Sequence, residues 1–108
     1  MKTNKQFEQY RELNIKMHKA SRDLGKSSLE LECIECIGKK EEKITVRQMY
    51  EYLSHLSRSS VSRANSQLIR AGIVAGEINP NEGERRNSFL SLTNNGKEVY
   101  KTLLSYFS

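Results

Sequence analysis

Apolar residues along this chain fall into stripes at helical spacing, broken by glycines and by one polar, turn-rich stretch. Over residues 4–24, Phe7, Tyr10, Leu13, Met17, Ala20 and Leu24 recur in steps of three and four, and Gly25 stops this first predicted helix. Ser27 and Glu30 form a capping-box pair that opens a second helix ending at Gly38, with Leu29, Cys33, Ile34 and Ile37 on its inner side. Residues 39–43 make a charged linker. Thr45 with Gln48 is another capping box, and Ile44 with Met49 a hydrophobic staple around it, so a third helix begins there. Met49 and Leu53 face inward from it, and Leu56 falls in the turn behind. Ser57 is the next N-cap and Gly72 the left-handed stop of a helix over 58–71, whose inward residues are Val61, Ala64, Leu68 and Ile69.

After Gly72 the character changes. Residues 73–79 and 88–92 have strand character, and between them lies NPNEGERRN, rich in turn formers and ending in a pair of arginines. Thr93 then caps a last helix in which Val99, Tyr100, Leu103, Leu104 and Phe107 form an apolar stripe. Two strands with a polar, basic tip after a helix-turn-helix describe a wing. The expected fold is therefore mainly α with a small β wing (α+β), a winged helix-turn-helix in the order α-α-α-α-β-β-α. It is one domain over 1–108, with an N-terminal helix 1–25, a core 27–93 and a C-terminal helix 94–108. There is no internal repeat and no low-complexity segment.

A chain of 108 residues has room for one modest core. With 36% hydrophobic and 29% charged residues that core is lean, and the amphipathic terminal helices suggest that a second copy completes it. The residues expected at such a homodimer interface are Phe7, Tyr10, Leu13, Met17, Leu103, Leu104 and Phe107. For the N-terminal stripe the other reading is a cover for the domain's own core. No apolar run approaches the ~20 residues of a membrane span, and residues near Met1 do not resemble a signal peptide. The expected location is the cytoplasm, with the nucleoid.

Net charge is +5 and the pI about 9.3, which favours an anionic partner without specifying one. Its distribution says more. No Asp or Glu occurs from Tyr52 to Gly76, and the outer side of the 58–71 helix carries Arg58, Ser59, Ser60, Ser62, Arg63, Ser66, Gln67 and Arg70. A solvated helix face ordinarily mixes signs. Hydroxyls, an amide and arginines are instead the groups that bond phosphate oxygens and base edges, so the expected partner is double-stranded DNA read in the major groove. Arg63 lies mid-face and is the first candidate for a guanine edge or a phosphate. Ser59, Ser60 and Ser62 suit phosphates, although helix capping explains part of the serine enrichment. Gln67 and Asn65 suit adenine or solvent. Arg85 and Arg86 are the wing candidates for a minor groove, with an ion pair to Glu82 or Glu84 as the other reading for one of them. Thr45 and Gln48 sit at a helix start that offers backbone N–H groups to phosphate, and capping explains them equally well.

Cys33 and Cys36 form a C-x-x-C that admits core packing, redox sensing or metal binding. Only His18 and His55 remain as further ligands for a zinc ion that needs four. No phosphate-binding glycine loop, nucleophile elbow or paired carboxylates occur in a matching context, so neither an enzyme nor a cofactor is expected.

The order of elements together with SRSSVSRANSQLIRAGIV, GERRNSFLSLT and NNGKE resembles the MarR-type winged-helix transcription regulators over residues 29–96. Glu84, Arg86, Leu92, Thr93 and Gly96 fall where that family has Asp, Arg, Leu, Thr and Gly. Glu84 departs from it by one methylene. The chain also stops with the helix after the wing, where most members continue into another long helix. The resemblance implies a two-fold dimer held by terminal helices, recognition helices in successive major grooves, and wing tips (80–87) at flanking minor grooves. It implies a regulator, commonly a repressor, in a family where many members release DNA on binding a small molecule or on oxidation. No residue here marks an effector. Two other functions fit the same pattern: a plasmid or phage partition or replication protein that coats repeated sites, and a winged-helix protein-interaction module.

Overall fold

Each helix starts where a side chain satisfies its first free N–H groups. In the computed structural model, which describes residues 4–78 and 89–108, Asn4 caps α1 (Lys5–Leu24) by accepting from the N–H groups of Gln6 and Phe7. Ser27 and Glu30 close a reciprocal capping box on α2 (Ser28–Gly38). Thr45 and Gln48 do the same for α3 (Val46–Tyr52), Ser57 caps α4 (Arg58–Arg70), and Thr93 caps α5 (Asn94–Ser105). Gly25 and Gly72 end α1 and α4 with φ of +64° and +75°, a region that costs any residue with a Cβ.

Three strands, not two, make the sheet. β1 (Ile44–Thr45) precedes α3, and β2 (Val74–Glu77) and β3 (Phe89–Leu92) flank the wing tip. All pairing is antiparallel in the order β1-β3-β2, with Ile44 opposite Leu90 and Val74 opposite Leu92. The extra strand corrects the expected element order. Two residues carry no periodicity, and the burial of both Ile44 and Met49 is compatible with the staple expected there.

α2 is the centre of the core. It packs against each of the other four helices and β3, and it buries Leu31, Cys33, Ile34, Cys36 and Ile37. An isolated helix of 11 residues is marginal in water, whereas each fully buried aliphatic side chain contributes roughly 1.5–3 kcal/mol. Tertiary burial therefore decides its stability. Leu31 and Cys36 lie outside the stripe expected from sequence, because a helix covered on most sides has no solvent face to leave polar. Val61, Ala64 and Leu68 of α4, Ile73 just before β2, Val74 within it, and Leu103 of α5 also belong to the core.

A node of hydrogen bonds fastens the end of α4 to the start of α5. The Thr93 hydroxyl donates to the carbonyl of Gly72 at 2.6 Å, with that of Ile73 at 3.1 Å, and accepts from the Gly96 N–H at 3.0 Å. At the far end of α5, the Tyr106 hydroxyl donates to Asp23 Oδ2 of α1 at 2.8 Å.

Candidate nucleic-acid interface

α4 divides into two sides. Val61, Ala64, Asn65 and Leu68 are buried, and Ser60 and Ile69 half-buried. Arg58, Ser59, Ser62, Arg63, Ser66, Gln67 and Arg70 are exposed, and all but Arg58 form one contiguous arc opposite the buried side. Sequence periodicity anticipated this division except at Ser60, expected outside but half-buried, and at Asn65, which turns inward and is 6% exposed. Its amide donates only to Met49 Sδ at 3.6 Å, and Oδ1 has no donor among the described residues. A buried orphan of this kind costs about 1–3 kcal/mol. Asn65 therefore does not reach a base.

The serines separate by task. Ser57 Oγ accepts from the Ser60 N–H at 3.2 Å and donates to Ser60 Oγ at 2.7 Å, so Ser60 serves the cap. Ser59, Ser62 and Ser66 stay on the outer arc. Arg58 leans over the Tyr50 ring, 5.3 Å from its centroid, which orients the guanidinium at the first turn of α4. Among the described residues no carboxylate pairs with Arg58, Arg63 or Arg70. The first turn of α4 also lacks an acidic residue, leaving the positive end of its dipole uncompensated.

Thr45 and Gln48 satisfy each other, with Gln48 N–H donating to Thr45 Oγ1 at 3.1 Å and Thr45 N–H to Gln48 Oε1 at 3.0 Å. Gln48 is exposed, whereas Thr45 is spent on the cap. Sequence reasoning passed over Arg47, exposed in the first turn of α3 beside Gln48. A lone arginine in a short helix gives no periodic signal. Lys43 is tied back to Glu77 at 2.9 Å. Arg85 and Arg86, with Glu84 and the wing tip 80–87, lie outside the described residues.

The terminal helices divide likewise. Phe7, Tyr10 and Leu13 are 57%, 62% and 53% exposed, so this half of the α1 stripe does not cover the chain's own core. Met17 and Phe107 are half-buried against that core, and Leu104 is exposed. Leu103 is different: it is 2% exposed inside the protomer and has little surface left to offer a second copy.

Cys33 and Cys36 are buried, free thiols. Burial, reinforced by Cys36 and then by Glu32 and Glu30, pushes the Cys33 thiol up to about 12; burial also raises Cys36. His55 Nε2 lies 3.1 Å from Glu32 Oε1 and links the turn before α4 to α2. Among the described residues no three His, Cys, Asp or Glu side chains gather as a metal site, and no helix is long and apolar enough to cross a membrane. A cleft of about 590 Å³ opens between the ends of α2 and β2, β3 and α5, lined by the apolar Ile37, Leu92 and Tyr100 and by the charged Lys40, Lys43, Glu77 and Lys97.

Helix-turn-helix, three-stranded antiparallel sheet and flanking terminal helices define the MarR-type winged-helix fold. Solved structures of that kind superpose on most of this chain. A MarR-family transcriptional regulator from Silicibacter pomeroyi matches with a TM-score of 0.72 and 24% identity, over 86% of this chain and 60% of its own. The reduced form of MarR from E. coli matches with a TM-score of 0.77 and 16% identity over 99% of this chain and 78% of its own. The multiple antibiotic-resistance repressor from Listeria monocytogenes gives 0.76 and 21% over 93% and 66%. This chain thus spans less than two-thirds of the length of the Silicibacter protein. No protein-family model matches the sequence, and no curated protein sequence is recognisably similar to it.

Proposed function

We propose that this chain is a sequence-specific, double-stranded DNA-binding transcription regulator, acting as a homodimeric repressor. The observation that carries the reading is the exposed arc of α4, which presents arginines, serines and a glutamine without one carboxylate. Such a surface suits a polyanion with hydrogen-bonding edges, and a helix of this length fits a major groove. Arg63 and Gln67 would meet bases. Arg58, Ser59, Ser62, Ser66 and Gln48 would hold phosphates, and Arg85 and Arg86 the flanking minor groove. The regulators that share the fold support the assignment, and the exposed Phe7, Tyr10, Leu13 and Leu104 support pairing of two copies. Repression is assigned because occluding a promoter needs nothing beyond binding.

Binding to duplex DNA across a salt series tests the first step. Log affinity should fall steeply with log salt, with a slope worth several phosphates. Arg63→Ala should then cost about 1–3 kcal/mol on a selected operator and relax its sequence preference, while Arg86→Ala lowers affinity and the salt slope on all sequences. Binding that ignores salt, or equal binding by both variants and the wild type, rejects the proposal in favour of a protein partner. Cooperative filling of repeated sites would reassign the chain to partition or replication.

A further inference from the structure

We infer that Asn65 is a positioning residue that fixes the roll of α4 on α3, exchanging stability for a single orientation of the outer arc; its consequence for DNA rests on the reading above. Val61, Asn65 and Ile69 lie one turn apart in a row at the edge of the inward side of α4. Beyond that row lie Arg58 and Ser62, both exposed. A modest roll in one direction would carry Ser62 inward and turn Ala64 outward, displacing Arg63 and Ser66 from the groove-facing position.

An aliphatic residue at 65 would give an unbroken apolar row from Val61 to Ile69. Contacts of that kind are non-directional and discriminate less between neighbouring rolls than a hydrogen bond does. The carboxamide does not. Its NH2 reaches Met49 Sδ across the α3–α4 contact at 3.6 Å, and its carbonyl already lacks a donor among the described residues. Rolling inward would strand the NH2 as well, and rolling outward would expose the apolar row beside it. The orientation is therefore bounded on both sides by one side chain, at the expense of the orphaned Oδ1.

The test compares the wild type, Asn65→Leu, and the swapped pair Met49→Asn with Asn65→Met. Asn65→Leu should melt at a higher temperature, yet show doubled or broadened amide NMR signals along α4. It should bind random duplex like the wild type and lose roughly tenfold of its preference for a selected operator. The swapped pair, which restores an amide–thioether contact across the same helices, should recover single signals and the preference. A Leu variant with one sharp set of α4 signals, or with a lower melting temperature, overturns the inference. If the wild type itself prefers no sequence, the DNA reading fails, and the α4 signals still decide the role of Asn65.

Discussion

Gly96→Ala is the substitution whose sign the structure decides against intuition. Gly96 lies in the first turn of α5, where alanine is ordinarily better than glycine by about 1 kcal/mol. A methyl group there would overlap the carbonyl oxygen of Ile73 and come within 3.3 Å of Leu92 Cβ. The obstacle is backbone at the root of the wing, not the far end of a flexible side chain, so overpacking stands at the upper end of its usual range, about 3 kcal/mol. Displacing the turn also weakens the Gly96 N–H to Thr93 bond, a capping contribution of about 1 kcal/mol. The net expectation is a loss of about 2–3 kcal/mol. With a urea m-value of ~1–3 kcal/mol/M, the unfolding midpoint falls by roughly 0.7–3 M. Gly72→Ala is the control: nothing lies within 4 Å of its added methyl, and only the positive φ is strained. Its loss should be smaller, about 1–2 kcal/mol. Urea unfolding followed by circular dichroism measures both. A Gly96→Ala protein as stable as the wild type, or more stable, refutes the reasoning.

Leu13→Glu should leave the fold intact, because Leu13 is exposed, and should abolish the proposed self-association in sedimentation velocity; a wild-type dimer left unchanged by the substitution would remove α1 from the proposed seam. Tyr106→Phe tests the tie between α5 and α1. The Tyr106 hydroxyl, then Arg22 and Lys19, hold the Asp23 carboxyl below its usual range against a smaller opposing effect of burial. A depressed carboxylate contributes stability above its unfolded pKa of ~3.9, lost as pH falls through the folded value. Acid titration below pH ~4 should therefore show a shallower stability loss in Tyr106→Phe than in the wild type. The native Cys33 and Cys36 thiols should be almost inert to Ellman's reagent at pH 8 and both react in urea, since burial disfavours their thiolates; fast native reaction would reopen a redox role.

Much of this molecule is legible as local chemistry. The capping pairs Ser27–Glu30 and Thr45–Gln48, the stops at Gly25 and Gly72, and the strand-to-helix switch at Thr93 are short-range signals, and each lies where the sequence puts it. What was not legible depends on neighbours distant in sequence. β1 exists because Leu90 and Phe89 lie opposite Ile44 and Thr45. Leu31 is buried because α2 is surrounded. Leu103 belongs to the inner half of a stripe whose outer half, Leu104, is exposed, a distinction that spacing alone does not draw. Asn65 reads as polar and outward until Met49 is seen above it. The carboxylate-free arc of α4 was legible because an absence of acidic residues over a whole segment is a property of composition, independent of packing.

The order of the sheet has a consequence for how sequence would be sensed. β3 is the middle strand, and Phe89 pairs with Thr45 on one side and Glu77 on the other. Thr45 is also the N-cap of α3. In the proposed complex the wing and the helix-turn-helix would act from one chassis: β3 links the β2 side of the sheet directly to the first turn of α3. Bases beneath the wing and bases beneath α4 would then be scored jointly, and substitutions in the two regions would combine non-additively, as coupled parts do. Deleting the hairpin would not leave a plain helix-turn-helix behind, because β1 would lose the strand that holds it.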